Sequence, residues 1–393
     1  MDFNQTMFTM RPGLEDIRDG VRAVTRRFPD AYWRECDEKH RYPVEFIAAM
    51  REGGWLSATL PEELGGSGFG LTVAAAILEE VSASGGGMNA SSAIHINLIG
   101  VEPILKFGSD AFKAKYLPKI ISGELTFAFG VTEPDAGTDT TRITTRAVPV
   151  DGGYRVTGRK VWTTRALESD RVLLITRTTP RDQCAKPAEG MTLFFADLKQ
   201  PEVDIRPIPK AGRNAVPSYE VAYDGLFVAE DDVVGTVGKG FYHLLTGLNA
   251  ERILVAATAV GIARRSLERA VQYAKERVVF QRPIGANQGV AFPLAEGFAQ
   301  YSVVALLLDK AASMYDEGQE CGVEATMLKY LAAEIAYKLA DQAVQTHGGM
   351  GYATEFDVER YWREARMLRL APITQELALN HLATHGLGLP RSF

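Results

Sequence analysis

The feature that most constrains the fold of this chain is a change of hydrophobic period that occurs twice. Residues 13–126 place apolar side chains at helical spacing. Residues 145–223 instead tend to alternate and hold many β-branched residues, which is typical of strands, and the helical spacing returns further on. The pattern predicts an α-helical domain over 1–126, a β-domain over 127–235 and a second α-helical domain over 236–393.

Local signals refine this division. The middle segment contains a hairpin signal, the turn at 151–153 followed by Tyr154–Gly158. Arg171–Thr176 and Met191–Ala196 are predicted to be buried strands, although the pattern does not separate a barrel from a sandwich. The C-terminal segment predicts four long helices of the kind that form an antiparallel bundle. Their predicted bounds are 242–280, 292–317, 323–347 and 360–386.

Composition excludes several classes of protein. A length of 393 residues predicts two or three domains at ~150 residues each. The formal charge of −6 gives no bulk attraction to nucleic acid or to an anionic membrane. No uninterrupted apolar run approaches the ~20 residues of a membrane helix, so no membrane span is expected. Pro61–Gly68 is glycine-rich, but it lacks the preceding strand and the spacing of a dinucleotide-binding loop.

The cysteines and the first residues indicate the compartment. Cys36, Cys184 and Cys321 are odd in number and far apart, which favours reduced thiols. Met1–Asn4 and the acidic residues that follow resemble neither a signal peptide nor a transit peptide. We therefore expect a cytoplasmic protein.

The stretch Phe127–Thr141 carries the first chemical signal. An apolar run ends at Pro134, which pushes the preceding Glu133 out of the α region. Gly137 permits a close backbone approach, and four threonines supply hydroxyl donors and acceptors. Such a loop suits a planar ligand with polar edges. An ordinary connection between a strand and a turn would have the same composition, so this loop does not decide by itself.

Four collinear motifs together resemble the acyl-CoA dehydrogenase family of flavoproteins. They are Gly130–Asp139, Lys160–Thr164, Arg277–Phe280 with Gln288, and Gln345–Tyr352 followed by Glu355, Arg360 and Glu364. The resemblance extends from about residue 14 to about residue 385. It implies an N-terminal helical domain, an open β-barrel in the middle and a C-terminal four-helix bundle. It also implies FAD as cofactor and an acyl-CoA substrate.

The resemblance assigns the flavin contacts to specific positions. Two groups are implied, and the second is contributed in this family by a neighbouring subunit. The first group is Phe129, Val131, Thr132, Thr138, Trp162, Thr163 and Thr164; the second is Arg277, Phe280, Gln288, Gln345, Gly348 and Gly349, with Thr374 as a further C-terminal contact. The chemistry is suitable, because an indole can pack on the isoalloxazine and an arginine can hold the pyrophosphate. Trp162 as an ordinary core residue is the alternative.

The family reaction needs one carboxylate that removes the substrate α-proton. Many members hold it in a C-terminal Tyr-Glu-Gly-Thr segment, but here Pro372 stands at that position. Other members hold it in a Leu-x-x-Glu-Arg segment, and Leu248–Arg252 has this form. The resemblance therefore implies Glu251 as the base, with Glu376 as a weaker rival. From the residues alone, a surface ion pair of Glu251 and Arg252 is the expected interpretation.

Substrate contacts are implied at Thr138, Asn249 and Arg252. The six histidines form no convincing set. His381 and His385 lie one helical turn apart, but a surface pair is expected rather than a metal site, because no third ligand accompanies them. Two departures, Gln281 after Phe280 and Arg142 after the first motif, affect the expected local loop geometry.

Three functions remain open at this point. The first is an FAD-dependent acyl-CoA dehydrogenase that forms a trans-2-enoyl-CoA, passes electrons to an electron-transfer flavoprotein and assembles as a homotetramer, a dimer of dimers. The second is an oxygen-using flavoenzyme of the same fold, an oxidase or monooxygenase. The third is a catalytically silent subunit that binds CoA or flavin, which the position of Pro372 motivates.

Overall fold

A computed structural model describes residues 13–391 of the chain. The start of the chain, on which the expectation about targeting peptides rests, lies outside the described residues. The predicted order of helices, β-domain and helices is confirmed. The N-terminal helices are α1 (Leu14–Thr25), α2 (Asp30–Glu38), α3 (Val44–Glu52), α4 (Leu71–Val81), α5 (Gly87–Ile99), α6 (Glu102–Phe107) and α7 (Asp110–Ser122).

The middle of the chain forms one sheet of 8 strands. Its strands are β1 (Phe127–Gly130), β2 (Arg146–Val150), β3 (Gly153–Thr164), β4 (Arg171–Arg177), β5 (Met191–Asp197), β6 (Val203–Pro207), β7 (Ser218–Ala229) and β8 (Val233–Val234). The strand order is β6-β7-β3-β2-β4-β5-β8, and β1 pairs in parallel with β4. The predicted hairpin is confirmed, because Val150 pairs with Gly153 across the β2–β3 turn. The two predicted buried strands are also confirmed, as β4 and β5.

The C-terminal part returns to helices and contains one small hairpin. Its elements are α8 (Gly240–Leu245), α9 (Leu248–Glu276), β9 (Val278–Val279), β10 (Arg282–Pro283), α10 (Gln288–Asp316), α11 (Gly322–His347), α12 (Val358–Leu368) and α13 (Gln375–His381). Helices α10 and α11 agree with the prediction to within a few residues. The predicted helix over 242–280 is wrong at both ends, because α9 starts at Leu248 and its continuation folds into the β9–β10 hairpin.

The prediction of one long helix over 360–386 is wrong. Residues 369–374 separate α12 from α13. Pro372 lies in this interruption; its ring removes an N–H donor and disfavours the α conformation at Ala371, so a helix cannot continue through it. Thr374 then caps α13, since its hydroxyl accepts a hydrogen bond from the Leu377 N–H at 3.2 Å.

The core joins the two helical parts of the chain. Helix α9 is buried over most of its length and packs against α4, α5, α10 and α11. A second core lies between the sheet and the helices α6 and α7, where Phe112, Tyr116 and Phe195 contact one another edge to face or tilted. The N-terminal end of α9 lies beside α5, where Glu251 contacts His95.

One helix among residues 13–391, α10, is long and apolar enough to cross a membrane by length and composition alone. It belongs to the C-terminal set of helices and packs on α9 and α11. Part of its apolar surface is exposed, with Phe292 at 61% and Val303 at 62%. A bundle helix that is covered by a partner passes the same test as a membrane helix, so this result is weak evidence of a span.

Candidate functional site

The loop after β1 is fixed by a buried ion pair. Glu133 is 4% exposed, and its carboxylate accepts a hydrogen bond at 2.9 Å from the fully buried Lys160 ammonium on β3. The same carboxylate accepts from the Thr144 and Thr145 N–H groups, and Lys160 also donates to the Val131 carbonyl. These bonds tie the loop to β3 and leave its outer residues free to meet a ligand.

Burial and charge both act on this pair. Burial alone would raise the pKa of Glu133, but the Lys160 ammonium and the hydrogen bonds of the loop outweigh it and lower that pKa to about 2. Burial lowers the pKa of Lys160 to about 8, although Glu133 opposes the shift. At neutral pH both groups are charged, and each satisfies the other inside the protein.

Trp162 has the exposure and the backbone of a ligand-contacting residue. Its φ of 62° is unusual for a bulky side chain, and the pairing of β3 with β7 shifts register between Lys160 and Thr163. The irregularity turns the indole outward, where it is 55% exposed. The alternative that Trp162 is an ordinary core residue is wrong.

The other residues of the first group divide by exposure. Phe129, Val131, Thr132 and Thr164 are half-buried, and Thr138 is exposed. Thr163 differs, because it is 1% exposed and its hydroxyl has no hydrogen-bond partner within residues 13–391. Its hydroxyl therefore points into the protein. The exposed indole, the threonine hydroxyls and the backbone that the Glu133–Lys160 pair holds in place fit a flavin ring.

The second group lies after the C-terminal end of α9, at the start of α10 and at the end of α11. Arg277, Gln288, Gln345, Gly348 and Gly349 are all exposed. Phe280 lies at the tip of the β9–β10 hairpin and is 95% exposed, with a positive φ of 49°. An aromatic side chain so exposed has no packing partner of its own within the described chain.

Glu251 lies in the first turn of α9, and its carboxylate meets a histidine. The distance from Glu251 Oε2 to His95 Nε2, on the last turns of α5, is 2.8 Å. The side chains are 31% and 21% exposed, respectively, so both border open space rather than the core. Burial disfavours a charged imidazole, but the Glu251 carboxylate outweighs this effect and raises the pKa of His95.

Arg252 and Asn249 lie beside Glu251 on the same helix. Arg252 is 8% exposed and donates to Asn249 Oδ1 at 3.0 Å. Its Nε is buried without a hydrogen-bond partner among the residues that the structure describes, and burial lowers the pKa of Arg252. A buried guanidinium that is held by one amide retains donors for another acceptor.

The rival Glu376 has a different environment. It is exposed in the first turn of α13. The pKa of Glu376 is lowered by its own backbone N–H and by Thr374, which makes its carboxylate a weaker base.

Two residues at this site carried no usable sequence signal. His95 is one of six histidines without a motif, and Arg213 lies in a loop before β7. The Arg213 guanidinium donates to Ser92 Oγ on α5 and to Thr164 Oγ1 on β3, each at 3.4 Å. His95 reaches Glu251 because α5 packs against α9, and the loop of Arg213 lies within hydrogen-bond distance of both α5 and β3. A contact across 156 positions, as between His95 and Glu251, cannot be found from spacing.

His381 and His385 stack on each other, with ring centroids 4.2 Å apart. No group of three or more His, Cys, Asp or Glu residues within 13–391 could hold a metal ion. The cysteines Cys36, Cys184 and Cys321 are free thiols.

Comparison with known proteins gives one consistent result. The acyl-CoA dehydrogenase N-terminal, middle and C-terminal domains match residues 12–124, 128–226 and 238–387. The chain is 36% identical to acyl-CoA dehydrogenase fadE12 of Mycobacterium bovis, over 99% of each chain. It is 36% identical to the (2S)-methylsuccinyl-CoA dehydrogenase of Cereibacter sphaeroides, over 91% of this chain and 66% of that protein. The crystal structure of acyl-CoA dehydrogenase from Geobacillus kaustophilus superposes with a TM-score of 0.92 at 28% identity, covering 98% of this chain and 100% of that one.

Proposed function

Because this chain belongs to the acyl-CoA dehydrogenase family of FAD-dependent oxidoreductases, we propose that it oxidises a saturated acyl-CoA to the trans-2-enoyl-CoA, with Glu251 as the base. The observation that carries the proposal is the position of the Glu251 carboxylate. It borders open space in the first turn of α9, and it is held by His95 of α5 at 2.8 Å.

FAD, when bound, supplies the acceptor for the hydride that leaves the substrate β-carbon. The residues of this chain do the rest. Trp162, Thr132 and Thr164 contact the flavin ring, and the Glu133–Lys160 pair keeps their loop in place. Glu251 removes the α-proton, and a carboxylate in a partly desolvated pocket is suited to this role.

His95 acts as a positioning residue for the base. Its Nε2 fixes one oxygen of Glu251, whose side chain is partly exposed. The imidazolium of His95 places a positive charge beside the base, and that charge is lost when His95 deprotonates. The pair therefore couples α-proton removal to the protonation of His95.

Arg252, Asn249 and Thr138 contact the CoA part of the substrate. The support is the unused donor capacity of the buried Arg252 guanidinium and the exposure of Thr138. The CoA phosphates and carbonyls are acceptors of the matching type.

The second flavin-contacting group acts from a neighbouring subunit of a homotetramer that is a dimer of dimers. The support is the exposure of Phe280, Phe292 and Val303, which a partner would cover. An electron-transfer flavoprotein receives the electrons, and the enzyme works in the cytoplasm.

The test is anaerobic bleaching of the visible absorbance of the bound flavin by a panel of acyl-CoAs. The relatives act on acyl groups of different shape, as the (2S)-methylsuccinyl-CoA dehydrogenase illustrates. The panel therefore contains straight, branched and carboxylated members. Fast bleaching by one member supports the proposal. If none bleaches the flavin although dithionite does, the dehydrogenase assignment is wrong.

A second assay separates the alternatives. An oxygen-using enzyme would consume oxygen with formation of peroxide or a hydroxylated product. A silent subunit would bind acyl-CoA tightly without flavin reduction.

A further inference from the structure

The loop after β1 continues into a turn, residues 137–143, which carries the proposed ligand contact Thr138. Hydrogen bonds within the turn hold it together. The Asp139 carboxylate accepts from both the N–H and the hydroxyl of Thr141. Two further N–H groups of the turn donate to carbonyls three residues earlier. A bond from outside to one atom of this turn therefore also constrains Thr138.

Arg177 makes such a bond from the end of β4. Its side chain is 7% exposed, and its guanidinium donates to the Thr141 carbonyl. Within residues 13–391, this is the hydrogen bond that joins the turn to another part of the chain. The Glu133–Lys160 pair acts elsewhere, because its bonds reach the loop before and after the turn. The turn and the rest of the loop therefore have separate anchors.

The same guanidinium holds a second loop, residues 178–190, which joins β4 to β5. It donates to the Pro187 carbonyl at 2.8 Å and to the Glu189 carbonyl at 2.9 Å. The Glu189 carboxylate in turn lies 3.5 Å from the ammonium of Lys239, just before α8. Arg177 thus joins the turn to a loop that is itself fastened to the start of the C-terminal part.

The chemistry of these bonds suits a positioning role. A guanidinium presents its donors in a rigid planar fork, so acceptors that share it are fixed relative to one another. Arg171, at the other end of β4, offers a matched comparison. Its guanidinium donates to the Phe195 carbonyl at 2.9 Å and to the Asp232 carboxylate at 3.0 Å. Both arginines fasten β4 to its surroundings, but the bonds of Arg171 go to β5 and to the segment before β8.

We propose that Arg177 is a positioning residue for the cofactor: it holds the turn where Thr138 meets FAD and the CoA part of the substrate. This inference rests on the proposed function, which supplies the ligands of Thr138. Arg177 takes no part in the transfer of the proton or the hydride. Without its guanidinium, three carbonyls lose a donor, and FAD has to order the turn when it binds. That ordering cost weakens FAD binding.

The experiment compares three variants of the full chain with the wild type. Arg177→Met keeps a similar length and removes every donor, Arg177→Lys keeps the charge as a single point donor, and Arg171→Met is the matched control. The measurements are the Kd of FAD by equilibrium dialysis, amide hydrogen exchange of residues 137–143 and the denaturant midpoint. None of them depends on turnover.

We expect Arg177→Met to raise the Kd of FAD roughly tenfold and to speed amide exchange in the turn. Arg177→Lys should restore part of the affinity, because an ammonium can satisfy some but not all of the carbonyls. Arg171→Met should lower the denaturant midpoint to a similar extent, yet leave the Kd of FAD within about twofold and the exchange of the turn unchanged. With saturating FAD, Arg177→Met should raise KM more than it lowers kcat.

Two results would overturn the inference. An equal rise in the Kd of FAD for Arg177→Met and Arg171→Met would mean that Arg177 acts only through the stability of β4. Unchanged FAD binding and exchange in Arg177→Met would mean that the turn does not need its anchor. If Arg177→Met does not fold, Arg177→Lys decides: a raised Kd of FAD supports the inference, and a wild-type Kd contradicts it.

Failure of the proposed function gives a different result. In that case no acyl-CoA bleaches the flavin of the wild type, whereas the FAD affinity and the exchange of the turn still report on Arg177.

Discussion

Two sets of charged residues lie along helix α9, and they are built differently. In the first, Arg264 bonds to Glu79 and Glu80 at 3.2 and 2.7 Å, and Arg18 bonds to the same two carboxylates at 2.7 and 2.6 Å. All four side chains are less than 10% exposed. In the second set, Glu251 at the start of α9 is paired with a histidine, and within residues 13–391 Arg213, in the loop before β7, bonds only to hydroxyls.

The difference separates charges that the described chain neutralises from charges that it does not. In the first set each buried charge is matched by protein groups, so the cluster fastens α1 and α4 to α9 and leaves no capacity for a ligand. In the second set the protein does not fully neutralise the charges. A bound ligand would therefore stabilise these groups more than those of the first set. The predictions below test this contrast.

The largest effect is expected for Glu251→Gln. The amide keeps the size of the side chain but cannot take a proton, so flavin reduction by the best acyl-CoA should fall by roughly 10²- to 10⁴-fold. Flavin content and thermal unfolding should be unchanged, because the Glu251 side chain borders open space and is not part of the core. Stopped-flow bleaching under anaerobic conditions measures the rate. Glu376→Gln is the matched control, and a larger loss there would move the base to α13.

Glu80→Gln should instead disrupt the ion-pair cluster of the first set. It leaves Arg18 and Arg264 short of a buried counter-charge, and the free energy of unfolding should fall by about 3–5 kcal/mol. The rate per folded molecule should stay close to that of the wild type. Denaturant unfolding with excess FAD measures the loss, and Glu124→Gln, whose side chain is 68% exposed in the wild type, is the control. A loss equal to that of the control would mean that the cluster is not structural.

The pH dependence of that stability has a defined sign. The Arg264 and Arg18 guanidinium groups outweigh burial and lower the pKa of Glu80. The contribution of Glu80 is therefore complete above the ordinary carboxyl range and is lost as pH falls through its lowered pKa. Glu80→Gln should be least different from the wild type in acid.

A smaller effect is expected for His95→Gln. The raised pKa of His95 means that the charged pair with Glu251 persists at low pH and is lost as pH rises through that pKa. The rate of flavin reduction should change over the same interval, because the positive charge beside the base is lost. In His95→Gln this pH dependence of the rate should be absent. The rate at high pH should differ from that of the wild type by roughly tenfold or less. His385→Gln is the control. If His95→Gln keeps the pH profile of the wild type, the titration belongs to another group.

The smallest effect is expected for Thr163→Val. The Thr163 hydroxyl is buried without a partner within the described chain, so its removal should leave stability equal or slightly higher and flavin affinity within about twofold. Thr164→Val, one position along β3, should weaken flavin binding, because its hydroxyl lies on the open side and accepts from Arg213. Equilibrium dialysis of FAD compares the two. If Thr163→Val weakens FAD binding more than Thr164→Val does, the flavin lies on the other face of β3.

Several features followed from the sequence because they are local. The alternating period identified β4 and β5, and the helical period identified α10 and α11, since burial of one face imposes these repeats wherever the element lies. The loop around Glu133 was identified from its own residues. The break at 369–374 could also have been found from Pro372, but the periodicity on both sides of it suggested one continuous helix.

The site required the tertiary structure. His95, Glu251 and Arg213 come from a helix of the N-terminal domain, a helix of the C-terminal domain and a loop of the sheet. The sequence by itself determined the three-part fold, the family and the candidate base, because each depends on short-range patterns. Only the tertiary structure decided which charges are matched and which remain available to a substrate. Electrostatic pairing depends on distance and burial, and both are set by how the three parts pack.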